Sequence, residues 1–280
     1  MSEQIQEQMR SKARELLEKG GIKVVIGWTQ GSTAQITAPV FVTDPAGVGS
    51  LVWNGNCRNN LAVYLYKKEV RALGKPAVFA KGCDIKAMVA LMQESQIKRE
   101  NVYIIGIGCE GIGEPICKNC DVRTPHLCDE LIGEKLEPIK SENFMNDIES
   151  MEKMEPGERW AFWQREFERC IKCYACRNAC PLCYCTRCIV EKSEPQWISP
   201  SQHGQGNLSW NIARAMHLAG RCVGCGACER ACPMSIKIGL INKKLARVVK
   251  ERFDYESGRD PGAAMPMASF KVEDGGEFIQ

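Results

Sequence analysis

Eight cysteines fall into two copies of one pattern. Cys170, Cys173, Cys176 and Cys180 are followed by Pro181, and Cys222, Cys225, Cys228 and Cys232 by Pro233. Both read C-x2-C-x2-C-x3-C-P. A cubane 4Fe–4S cluster needs four thiolates aimed at one small volume. Three closely spaced cysteines let a single curled loop supply three of them. The proline after the fourth turns the chain away from that loop. Paired zinc ribbons would instead want two C-x2-C pairs per metal and no fourth Cys-Pro. The chemistry implied is the uptake and release of single electrons.

The spacing is that of bacterial two-cluster ferredoxins, in which the fourth cysteine of each run serves the other cluster. One cluster is therefore expected on Cys170, Cys173, Cys176 and Cys232, and the other on Cys222, Cys225, Cys228 and Cys180. The 182–221 stretch between the motifs is longer than a compact ferredoxin needs. It carries Cys183, Cys185 and Cys188 in PLCYCTRC. Three thiols in six residues suggest a further cluster, zinc held with His203 or His217, or an adaptable thiol surface. His217 falls on an expected helix, where a hydrogen-bonded structural histidine is the better reading.

Elsewhere, Cys83, Cys109, Cys117, Cys120 and Cys128 are spread over 46 residues that look like an α/β unit. Ala77 to Ala80 reads as a strand, with a tight turn at Lys81-Gly82-Cys83-Asp84. A helix follows over 85–96, with Ile85, Met88, Val89 and Met92 on one face, then a second strand over Val102 to Ile107. A helix between two strands implies parallel neighbours and a right-handed crossover. Cys83 and Cys109 then sit past the carboxyl ends of adjacent strands, where open α/β sheets hold ligands. With Cys117-x2-Cys120 they make a third candidate centre, a cluster or zinc, with Cys128 as the alternate ligand. Cys57 lies in a different element and is expected to be structural.

The remaining elements position these groups. A helix is expected over 3–19, with Ile5, Met9, Leu16 and Leu17 on one face and a stop at Gly20–Gly21. KVVIG (23–27) and PVFVT (39–43) read as strands. Asp44-Pro45 reads as a helix cap with proline at the first position. A second helix is expected over Asn60 to Leu73. Trp160, Trp163, Phe167 and Ile171 recur at helical spacing, on a helix that delivers the chain to Cys170. Trp210, Ala213, Met216 and Ala219 do the same before Cys222. Each repeat is thus a Trp-bearing helix plus a cysteine loop, and the aromatic stripes read as core that keeps water off the metal. A final helix over Ile238 to Phe253 carries Lys243, Lys244, Arg247, Lys250 and Arg252. That basic face is a solvated surface in the plain reading and a dock for an acidic partner in the other.

The 280 residues are enough for two cores. A net charge of +3 is too small to argue for nucleic acid or a membrane surface as a partner. No apolar run approaches the ~20 residues a spanning helix requires. The polar Met1 to Arg10 stretch lacks the apolar segment of a signal peptide. Seventeen cysteines, an odd number at ligand spacing, fit a reducing, oxygen-poor cytoplasm better than a disulfide framework.

The runs VFAKGCDIKAMVALMQ and NVYIIGIGCEGIGEP, with Cys83, Ile85, Cys109, Cys117 and Cys120 in place, resemble a known family. It is the β-subunit family of deazaflavin-coenzyme-reducing hydrogenases and formate dehydrogenases. The resemblance covers about residues 20–135. RAMHLAGRCVGCGACERACP resembles the dicluster module attached to such subunits in formate-dehydrogenase, hydrogenase and heterodisulfide-reductase-like assemblies. It implies an α/β domain holding one 4Fe–4S cluster, often with FAD, that passes electrons to a soluble carrier. In place of the family's Gly-Gly-x-x-Thr segment the chain carries GVGSLVWNGN over 47–56. The module order is also swapped relative to members with an N-terminal ferredoxin.

The expected fold is an α/β domain with a partly parallel sheet, followed by a mainly α-helical two-cluster ferredoxin-like domain. The boundaries are an N-terminal helix (1–19), the α/β domain (20–136), a linker (137–157), the ferredoxin-like domain (158–253) with its insertion (182–221), and a tail (254–280) that wraps a neighbour or is loosely ordered. The expected function is that of an iron–sulfur subunit of a cytoplasmic oxidoreductase complex. It would relay single electrons between partner subunits that carry flavin or a catalytic metal, with a ferredoxin as a further partner. The alternatives are an FAD-containing subunit that itself oxidises or reduces a deazaflavin or nicotinamide coenzyme, and a zinc-stabilised module without redox activity. Three histidines, with no Ser-His-Asp set or acid pair, leave proton-transfer catalysis poorly equipped.

Overall fold

The computed structural model describes residues 2–139, 146–266 and 268–270. Helix α1 (Ser2–Glu18) buries Ile5, Met9, Ala13, Leu16 and Leu17 along one stripe. Strands β1 (Val24–Gln30) and β2 (Thr37–Val42) pair antiparallel, with Val25 opposite Val42 and Thr29 opposite Ala38. After β2 the Asp44 carboxylate accepts from the Ala46 N–H and Pro45 opens the next turn. That turn, Pro45–Ser50, is a 3-10 segment rather than an α-helix.

The helix expected over 60–73 is broken in two. A 3-10 turn covers Leu61–Tyr64 and a short α2 covers Lys68–Ala72, with Lys67 extended between them. Asn60 Nδ2 donates to Cys83 O, and the Leu61 N–H donates to the buried Asp84 carboxylate. These ties fix the first turn against the next helix, and tertiary contact overrides local propensity.

Strand β3 (Pro76–Ala80), helix α3 (Gly82–Gln93) and strand β4 (Tyr103–Ile107) form the anticipated unit, with β3 and β4 parallel. All five residues of β3 are buried, as in parallel strands covered on both faces. β1 pairs parallel with β3 on the other side. A further strand, β5 (Glu130–Ile132), pairs parallel with β4. At three residues it is too short to show a period in the sequence. The sheet order is β2-β1-β3-β4-β5.

The rest is helical. Of the expected linker, 140–145 lie outside the described residues, and α4 (Asn146–Lys153) follows. Then come α5 (Pro156–Glu168), α6 (Ala175–Asn178), α7 (Gly204–His217), α8 (Ala227–Arg230) and α9 (Ile238–Phe253). On α5, Phe167 is buried but Trp160 is half exposed. On α7 the buried face differs from the apolar stripe Trp210, Ala213, Met216, Ala219. Trp210, Asn211, Arg214 and Ala215 are buried, while Met216 is exposed. Polar residues occupy the inner face because they serve backbone groups of the cysteine loops. Asn207 Nδ2 donates to Cys170 O at 2.8 Å, and Arg214 Nη2 donates to Cys176 O at 3.0 Å.

The basic face of α9 is largely paired within the chain. Lys244 and Arg247 both meet Glu152 of α4, and Lys250 meets Glu256. This favours the plain reading of that face over a dock. Much of the tail folds back on the chain itself; 267 and 271–280 lie outside the described residues. Tyr255 is buried with its hydroxyl donating to Gln93 Oε1 at 3.1 Å, and Arg259 pairs with Asp121.

The cysteine-bearing part is not a free-standing unit. Cys180, Leu182, Leu218 and Val223 belong to the same buried core as β1, β3 and β4. A second core gathers Phe167, Val190, Ile198, Trp210, Ile236 and Ile238. Arg221, just before the second motif, meets Glu94 at the end of α3 with two parallel N–H···O bonds of 2.6 Å each. The Glu94 side chain is only 3% exposed. Removing one partner of such a pair strands the other charge and costs about 3 kcal/mol. Glu94→Ala should therefore lower stability by about that much in denaturant unfolding. An unmoved midpoint would show that the two parts hold together without this contact.

Candidate metal centres

The two motifs fold alike. In the first, Lys172 and Tyr174 take left-handed φ of 51° and 57°; in the second, Gly224 and Gly226 take 68° and 70° at matching positions. Each pair curls its loop before the short helix, α6 or α8. The first loop holds this conformation without glycine, and Tyr174 is pinned edge-on to Trp210, centroids 5.1 Å apart.

Cys170, Cys173, Cys176 and Cys232 line one cavity, walled by Trp210 and Ile236. Cys180 does not join them there. Burial raises the pKa of Cys222, Cys225 and Cys228, and the nearby charge of Cys180 adds to the rise in each. Cys232 thus lies with the first motif, while the influence of Cys180 falls on the second. Cys83, Cys109, Cys117 and Cys120, the third group, line a cavity of their own, the third cavity, at the carboxyl edge of β3 and β4. Cys128 is elsewhere, against Gly106 of β4 and Pro125, so the alternate ligand is not brought to this cavity.

The three thiol groups form a row. Cys176 of the first feels the charge of Cys228 of the second. Cys225 of the second lies in the wall of the third cavity and acts electrostatically on Cys83. Cys173, at the outer end, is exposed.

Burial sets the electrostatics. It pushes the Cys222 thiol up to about 12, and those of Cys176, Cys228 and Cys109 to about 11. Buried thiolates therefore need positive charge beside them, which bound iron supplies. The donor sets fit 4Fe–4S groups on that chemistry and on the crossed placement. Among the described residues no three His, Cys, Asp or Glu side chains are gathered closely enough for a single metal ion.

Cys183, Cys185 and Cys188 are not brought together. Cys183 hydrogen-bonds Cys180 and packs on the sheet core. Cys185 is exposed, and Cys188 packs on the second core, its N–H donating to Glu191. His203 Nδ1 instead accepts from the Gly206 N–H at the start of α7, and His217 is exposed on that helix. Cys57 is fully buried, its Sγ accepting from the Asn54 N–H at 3.4 Å, as a structural residue would be.

Buried charges were missed in the sequence at two places. Lys81 and Asp84 form an ion pair of 2.9 Å with side chains 1% and 0% exposed. Lys81 Nζ also lies 4.0 Å over the Trp28 ring and donates to Asn59 O. The pair fixes the first turn of α3 and with it Cys83. Arg214 is the other, and a charge four residues after Trp210 was its one signal. Gly106, Gly108 and Gly111 also spell G-x-G-x-x-G after β4. The next element is a 3-10 turn, Pro115–Asn119, so no helix N-terminus follows to receive a pyrophosphate.

Residues 169–237 match the family model described as a 4Fe-4S dicluster domain. The chain carries such a domain. Across nearly its whole length it is related to the beta subunits of F420-dependent formate dehydrogenases. It is 24% identical over 350 aligned positions to the "F420-dependent formate dehydrogenase subunit beta" of Methanocaldococcus jannaschii, covering 88% of this chain and 89% of that protein. It is 23% identical to the "F420-dependent formate dehydrogenase 1 subunit beta" of Methanococcus maripaludis, covering 89% of each. The dicluster match takes in all eight cysteines of the two motifs. The relatives extend the likeness into the α/β part, which the sequence runs around Cys83 and Cys109 had pointed to.

The third cavity depends on a close approach. A Cβ on Gly82 would stand 1.7 Å from Val122 O and 2.6 Å from Val122 C, both backbone atoms that cannot swing aside. Gly82→Ala must then push the 117–122 segment from α3, at a cost of about 2 kcal/mol or more. A lower unfolding midpoint and faster alkylation of Cys117 and Cys120 are expected. Unchanged midpoint and reactivity would show that the segment has room to give.

Proposed function

We propose that this chain is the iron–sulfur electron-transfer subunit of a formate-dehydrogenase-type complex. The observation that carries the reading is the unbroken row of three cysteine groups, from exposed Cys173 through Cys180 and Cys225 to the cavity of Cys83. Cys170, Cys173, Cys176 and Cys232 would hold the first 4Fe–4S group and Cys222, Cys225, Cys228 and Cys180 the second. Cys83, Cys109, Cys117 and Cys120 would hold a third. When bound, these groups take up and hand on single electrons. The chain's part is to exclude water, supply thiolates and aim N–H donors at the sulfurs.

The named relatives are subunits, so further chains are expected at the two ends of the row. One would meet the exposed Cys173 side. The other would meet the mouth of the third cavity, where Lys86, Arg123 and Arg230 gather. No helix among the described residues is long and apolar enough to cross a membrane.

The second reading, a subunit that binds FAD and reacts with a coenzyme itself, rests on one cleft. It opens beside the sheet, lined by Thr37, Asn56, Asn60, Tyr64 and Glu114, and shares Arg230 with the third cavity. Its polar lining suits a hydrogen-bonding ligand. Stoichiometric FAD after anaerobic purification, with turnover of a coenzyme by the lone chain, would promote this reading above the relay.

The relay reading is tested by iron and sulfide analysis of the anaerobically purified chain with its co-purifying partners. Three groups require roughly twelve iron atoms per chain. Cys180→Ala should remove roughly four of them. The low-temperature paramagnetic signal of the second group should go, and that of the first should stay. Loss of the first group instead would refute the crossed assignment. Roughly eight iron atoms in the unaltered chain would remove the third centre.

A further inference from the structure

A buried cation stands between the first two cysteine groups, and the relay as described gives it no role. Arg214 is 2% exposed on the inner face of α7. Its Nη2 donates to Cys176 O in the first motif. Its Nε and Nη1 have no hydrogen-bond partner. A guanidinium keeps its charge in a protein and carries five N–H donors in a rigid fork. Buried donors left without acceptors are rare, because each forfeits its hydration.

The surroundings say what those donors face. The groups that act most strongly on Arg214 are sulfurs. Burial opposes its charge, and Cys228, Cys180, Cys183 and Cys176 together more than restore it. Cys176 belongs to the first group, and Cys180 and Cys228 to the second. A planar fork lying among the charges of both groups can serve two sides at once, which a lysine ammonium, a single point charge, does not. A backbone peg would need only the bond to Cys176 O.

We propose that Arg214 is the shared counter-charge of the first two 4Fe–4S groups, its free Nε–H and Nη1–H donating to sulfurs on either side. The inference rests on the relay reading and adds a positioning residue to it. Each group gains one negative charge when it accepts an electron from a partner, and loses it when the electron passes on. A fixed positive charge between them favours the reduced form of both. Arg214 therefore raises both reduction potentials together and keeps the step between them small. Hydrogen bonds to sulfur and nearby charge are the general levers on such potentials.

The test is a mediated potentiometric titration of the full chain, purified anaerobically, followed by low-temperature paramagnetic resonance with iron counted on the same samples. In Arg214→Gln, iron should be retained. The reduction equilibrium of both groups should fall at least about tenfold, which is about 59 mV for one electron. Arg214→Lys keeps the charge and should recover most of the loss. Should Arg214→Gln lose its iron while Arg214→Lys keeps it at near-normal potentials, the charge is needed to hold both groups, which also supports the proposal. Retained iron with neither potential moved, or with only one moved, overturns it. Loss of iron from both variants overturns it too, since Arg214 is then a structural peg. An unaltered chain with no cluster signal would sink the relay reading and this inference together, whereas a normal signal indifferent to the variants sinks this inference alone.

Discussion

Charge on buried sulfur is the constraint that organises this molecule. A thiolate withdrawn from water loses hydration that only nearby positive charge or N–H donors can replace. Burial lifts the thiols of Cys176, Cys228 and Cys109 to about 11 and that of Cys222 to about 12. The protein answers with cations placed inside the fold. Lys81 stands beside Cys83 and Cys109, where burial works against its charge and Asp84 and these thiols outweigh it. Arg214 stands between the two motifs. Metal binding and folding are coupled in such a site, because the iron completes a charge balance the chain alone leaves open.

The same constraint explains why α7 carries polar residues inward. On α7, Asn207 and Arg214 donate to carbonyls of the first loop, holding Cys170 and Cys176 by their own backbones. An apolar face would pack as tightly and leave those carbonyls unpaired. The loops themselves depend on left-handed residues, glycine in one repeat and Lys172 and Tyr174 in the other. In the first repeat the packing of Tyr174 against Trp210 makes up for what glycine would give freely.

Much of this was legible in the sequence where chemistry and spacing coincide. The two motifs, the β3-α3-β4 unit and α9 follow from cysteine spacing and periodicity alone. The carboxyl-edge placement of Cys83 and Cys109 followed from strand direction, and Cys117 and Cys120 were joined to them by their C-x2-C spacing and the family resemblance. What was hidden has a common cause. The broken helix after Asn60, the rotated face of α7, and the burial of the Lys81–Asp84 pair against Asn59 and Leu61 all involve polar contacts with residues distant in the chain. Hydrophobic periodicity cannot register an asparagine or arginine that is buried because it has a partner. The scattering of Cys183, Cys185 and Cys188 is of the same kind. Cys183 is drawn to Cys180 on the sheet core, and Cys188 to the second core, six residues or fewer apart but on different sides of the loop.

That two-sided loop bears on how the parts can move. The residues between the first motif and α7 leave one core and enter the other, and Cys180, Leu182, Leu218 and Val223 pack into the sheet's own interior. The dicluster part therefore cannot swing on a hinge without opening the core of the α/β part. Arg221 on Glu94, Arg230 on Arg58 O, and Tyr255 on Gln93 tie the same junction from three directions. A carrier that ferries electrons by domain motion would keep its interface small and polar. Here Cys225 is held in the wall of the cavity that Cys83 lines, so the spacing along the row is set by core packing. Electrons passing through this chain would travel a fixed path, and whatever gating the assembly has must lie where its ends meet other subunits.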